Sequence, residues 1–125
     1  MKIFMPDMHL DFSHSMAKTL DALGATLYVP DESFSSHIKY GLKFIDGGYT
    51  TENAYYDFPA LRKKALEFTA LDNVKVTSHE ELLSEDIDLY ICPCSMQDID
   101  MHSLFHTHKP INPKLKMCHW SGNNS

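Results

Sequence analysis

The chain has 125 residues, 43% of them apolar and 22% charged, which suits one globular domain spanning residues 1–125. No apolar run reaches the roughly 18 to 20 residues of a membrane helix. The formal net charge is −6, and the basic residues are scattered apart from Arg62, Lys63 and Lys64, which excludes a nucleic-acid backbone as the expected partner. Three cysteines, Cys92, Cys94 and Cys118, cannot all pair within one chain. With no secretory signal at the amino terminus, they read as thiols in a reducing, cytoplasmic setting.

The first element is a short apolar strand, Lys2 to Met5, followed by a polar loop carrying Asp7, His9, Asp11 and His14. A helix starts at Ser13 or Ser15, either of which can cap it, and buries Met16, Leu20 and Leu23; Gly24 suits the left-handed position past its end. Ala25 to Val29 is the second strand. From Asp31 to Phe58 the periodicity dissolves, giving a long loop (31–58) with one short helix near Phe34 to Tyr40. Its aromatics, among them Tyr40, Tyr49, Tyr55 and Tyr56, are read as pinning that loop to the sheet. Pro59 opens a second helix capped by Asp57, with Leu61, Ala65 and Phe68 inward, ending at the turn pair Asp72-Asn73.

Val74 to Thr77 alternates as a third strand, and Ser78-His79-Glu80-Glu81 is a capping box opening a short helix. Ile87 to Cys92 is an almost continuous apolar run, the pattern of a strand buried on both faces. A helix from about Asp98 to His106 follows; His106-Thr107-His108 ahead of Lys109-Pro110 reads as a solvated turn. The last strand is Leu115 to His119. This alternation predicts an α/β fold, a three-layer α-β-α sandwich around a mostly parallel five-stranded Rossmann-like sheet. The preferred strand order is 3-2-1-4-5, with 2-1-3-4-5 as the alternative. Ligands of such sheets bind beyond the carboxyl ends, at the switch between strands one and four.

Met1-Lys2-Ile3-Phe4-Met5, the helix-to-strand segment Ser15 to Val29, the strand Ile87-Asp88-Leu89-Tyr90-Ile91 and the segment Lys114 to Trp120 together resemble the amino-terminal, acceptor-side Rossmann-like domain of two-domain glycosyltransferases. The resemblance covers nearly the whole chain. It implies that this half holds a small-molecule acceptor, while a sugar nucleotide would sit mainly in a second Rossmann-like domain, with no cofactor held by this one. It also implies His9 or His14 as a general base taking the hydroxyl proton, His119 facing the acceptor, and Asp7, Asp11, Ser95 and Trp120 contacting it. The stop at Ser121 to Ser125 suggests a fragment of a longer protein, inactive as a transferase by itself.

The alternative is a small Rossmann-like module that binds a ligand or a metal without catalysis. Eight histidines in 125 residues favour a metal or proton-transfer site. Cys92 and Cys94 after strand four, and Cys118 and His119 after strand five, are expected at the same edge as the first loop, and zinc takes thiolate and imidazole ligands. A thiol ending a buried strand is more simply a small core residue, so no metal ligands are assigned. An Asp-x-His loop also opens the metal site of calcineurin-like phosphoesterases, but the later Gly-Asp and Gly-Asn-His segments are missing. An unfinished sheet edge and acidic charge favour homo-oligomers.

Overall fold

The computed structural model describes residues 1–5, 10–31, 58–93 and 100–120; within these, the side chains at 10–13, 58–62, 65, 93 and 120 are not described. Five strands form one sheet in the order β3-β2-β1-β4-β5. They are β1 (Lys2–Phe4), β2 (Thr26–Pro30), β3 (Val74–Thr77), β4 (Leu89–Pro93) and β5 (Lys116–Trp120), and every pairing is parallel. β1 is central, pairing Ile3 with both Leu27 and Leu89, so its residues need apolar neighbours on both faces.

Alternation along the strands divides the core in two. Ile3, Leu27, Val29, Val74 and Ile91 pack with Ala17 and Leu20 of α1 (Leu10–Ala22) and Phe68 of α2 (Phe58–Thr69). Phe4, Tyr28, Tyr90 and Cys92 pack with Leu82 of α3 (His79–Ser84) and with Met101 and Leu104 of α4 (Met101–His108). The result is the expected three-layer sandwich. Among the described residues, no helix is long and apolar enough to cross a membrane.

Several boundaries differ from the sequence expectation. α1 starts at Leu10, so Asp11 and His14 belong to the helix instead of a loop. It ends at Ala22, which leaves Leu23 in the following turn and 76% exposed; the buried stripe is Ala17 and Leu20. Gly24 does adopt the left-handed conformation, with φ 74°. The capping box closes as read: Ser78 Oγ accepts from the Glu81 amide at 3.1 Å and Glu81 Oε1 from the Ser78 amide at 3.0 Å. Asn73, taken as a turn residue, is buried and donates to the carbonyls of Ala17 at 2.7 Å and Ala25 at 3.2 Å, tying α1 to the start of β2. The 31–58 loop, its short helix and the Asp57 cap lie outside the described residues, apart from Asp31 and the first residue of α2.

The largest correction concerns His108. It is not in a solvated turn but on the last turn of α4, with its side chain wholly buried. Met101, Leu104 and His108 form the helix's inner stripe. The Glu85 carbonyl, 3.1 Å from Nε2, can only accept, so Nε2 carries the proton. Nδ1 is then the acceptor for the Tyr90 hydroxyl at 2.6 Å, and the ring is neutral. Burial pushes the Tyr90 phenol up and the His108 imidazole down from their ordinary ranges. The same Glu85 receives Lys2 Nζ at 3.0 Å through its carboxylate, so the lower end of α4 is tied to the amino-terminal edge of the sheet.

Candidate metal centre

β4 and β5 run side by side with Cys92 opposite His119, each one residue from the carboxyl end of its strand. Opposed residues of parallel strands point to the same face, with backbones about 4.8 Å apart. That face is the one α4 covers, since Cys92 packs with Met101 and Leu104. The Asp100 carboxylate caps α4, accepting from the Ser103 amide at 3.0 Å and the Ser103 hydroxyl at 2.9 Å. His102 is therefore the second residue of a helix whose start is fixed and whose end is anchored by His108.

Among the described residues, Cys92 Sγ and one ring nitrogen each of His102 and His119 all lie within 4.8 Å of one another. The two imidazole rings meet edge to face, 5.4 Å between centroids and 65° between planes. Zinc bonds of about 2.3 Å to sulfur and about 2.0 to 2.1 Å to nitrogen require ligand atoms about 3.3 to 3.8 Å apart in a tetrahedron. Any tightening from within 4.8 Å to that spacing falls to the two histidines, whose side chains are exposed at the surface. Cys92 is the fixed point, 3% exposed at the base of the group.

Of the residues singled out from sequence, the structure unites Cys92 and His119 and adds His102, which sequence reading missed. Cys118 is exposed and alternates to the other face of β5, so it is neither a core thiol nor part of the group. His14 lies on the opposite side of the sheet, half-buried, its ring edge-on to Phe68 of α2 at 6.5 Å. The structure thus does not bring His14 and His119 together. Asp7, His9, Cys94 and Ser95 lie outside the described residues, as do the side chains of Asp11 and Trp120. The trio sits between β4 and β5, one strand to the side of the switch between β1 and β4.

No protein family, no curated protein and no solved structure matches the chain. The chemistry of the site therefore has to be read from its own atoms.

Proposed function

We propose that this domain is a metal-binding module whose ion is zinc, held by Cys92, His102 and His119. The observation that carries the reading is the closeness of one thiol and two imidazoles drawn from three separate elements, β4, α4 and β5. A mixed sulfur and nitrogen set selects a borderline-soft ion; magnesium and calcium require oxygen ligands. Both histidines are exposed, so the ion has a path from solvent. The acceptor-domain alternative takes His9 or His14 as base with His119; His14 lies on the opposite face of the sheet from His119, and His9 lies outside the described residues.

Zinc binding displaces the Cys92 thiol proton and uses neutral imidazoles, so affinity rises with pH. The purified chain, freed of metal by chelation and titrated calorimetrically, is expected to take up one zinc per chain with proton release, and to ignore magnesium and calcium. Binding of magnesium or calcium as tight as zinc, or no zinc binding, would overturn the proposal.

A further inference from the structure

α4 carries His102 on its first turn and His108 on its last, so one eight-residue helix joins the metal group to a buried imidazole. His108 is one of the three side chains, with Met101 and Leu104, that seat this helix. The groups that meet the ring come from two other parts of the fold. Tyr90 of β4 brings its phenol to 2.6 Å from Nδ1, and the Glu85 carbonyl, just past α3, meets Nε2 at 3.1 Å. Among the described residues, the charged groups at that end are turned to other partners. The Glu85 carboxylate takes Lys2 Nζ and the Tyr28 hydroxyl, Lys109 Nζ donates to the carbonyls of Pro113 and Leu115, and His106 on the same helix is exposed.

A proton on the His108 ring makes both nitrogens donors, whereas the pairing with Tyr90 needs Nδ1 to accept. The phenol must then turn its own hydrogen away, and a positive charge is left wholly buried against a phenol and a carbonyl. The charged ring is better solvated when α4 lifts from the sheet. Lifting α4 takes His102 away from Cys92 and His119, which belong to the sheet. Resting on the zinc reading above, we infer that His108 is a positioning residue for the metal centre and that its protonation releases the ion, so that acid opens the site from the far end of α4. The coupling is reciprocal: bound zinc holds α4 down and keeps His108 neutral to lower pH.

Protons also compete for Cys92, His102 and His119 directly, and that competition is common to every variant that keeps the three ligands. His108→Gln in the full chain separates the two effects. Its amide offers an N–H to the Glu85 carbonyl and an oxygen to the Tyr90 hydroxyl, with nothing to titrate. Zinc affinity is measured calorimetrically from pH 7.5 to pH 5, each protein against its own value at pH 7.5. The parent is expected to lose about 10-fold more affinity over that range than the variant, since one coupled proton is worth about 10-fold per pH unit. Equal losses, or a larger loss in the variant, would overturn the inference and leave the zinc reading standing. No zinc uptake by the parent at pH 7.5 would remove both. If His108→Gln does not fold, the His108 ring carbon signals of the parent decide, followed by NMR over the same pH range. Saturating zinc is expected to lower their titration midpoint by about one pH unit, and an unmoved midpoint would overturn the inference.

Discussion

His119→Ala is expected to weaken zinc binding by more than about 100-fold, beyond what loss of a residue supporting a metal ligand costs. His102→Ala should do the same. Both side chains are exposed, so the metal-free variants should fold with stabilities within about 0.5 kcal/mol of the parent. That separation makes the experiment informative: affinity collapses while the fold stays. Zinc at 100 times its dissociation constant adds about 2.7 kcal/mol to the parent, which for a chain of this size raises the melting temperature by roughly 10 °C. Neither variant should gain that increment at the same zinc concentration. Cys118→Ser, on the opposite face of β5, should keep it in full. Thermal unfolding with and without zinc reads all four proteins on one scale, and equal zinc-dependent shifts throughout would contradict the assignment.

His108→Ala is expected to destabilise the fold by about 3 to 5 kcal/mol, read by urea unfolding at pH 7.5. The ring fills a wholly buried position, and its loss orphans both the Tyr90 hydroxyl and the Glu85 carbonyl. Tyr90→Phe removes one hydrogen bond and leaves Nδ1 unpartnered, for about 1 to 3 kcal/mol. The pH dependence has a definite sign. Burial is the main cause holding the His108 pKa below its ordinary value of about 6.5, with the hydrogen bond to Glu85 opposing it. The unfolded chain therefore binds more protons than the folded one as pH falls through that range. The contribution of His108 is intact above about pH 6.5 and is lost progressively below it. The stability gap between the parent and His108→Ala should narrow between pH 7.5 and pH 5; a constant gap would show that the ring is not held neutral.

Most of the sheet was legible because its signals are local. Ile87 to Cys92 announced a strand buried on both faces, and the Ser78–Glu81 box announced the short helix that carries the chain back across the sheet. Together they favoured the order 3-2-1-4-5 over 2-1-3-4-5, which is the order found. His108 was misread because Lys109 and Pro110 made its surroundings look solvated, while its partners Tyr90 and Glu85 lie 18 and 23 residues away. The spacing of Met101, Leu104 and His108 was the available signal, since those positions share one helix face.

The site was legible by halves. Cys92 and His119 end adjacent strands and were placed at one edge, but the side each faces depends on register, which no local pattern specifies. Alternation along β5 separates Cys118 from His119 in any register, but which of the two shares a face with Cys92 depends on the pairing with β4. His102 has His106 at the i+4 ligand spacing of its own helix, but it meets Cys92 and His119 because α4 lies over the end of β4. Its position just inside a helix that follows a thiol-tipped strand, with His106 one turn on, was the available hint.

The central claim is that one thiolate and two imidazoles meet on a single ion. X-ray absorption at the zinc edge of the loaded, thiol-free protein tests it most directly. One sulfur at about 2.3 Å, with two imidazole nitrogens and one further light atom at about 2.0 to 2.1 Å, is the predicted first shell. A shell of oxygen and nitrogen without sulfur would contradict it.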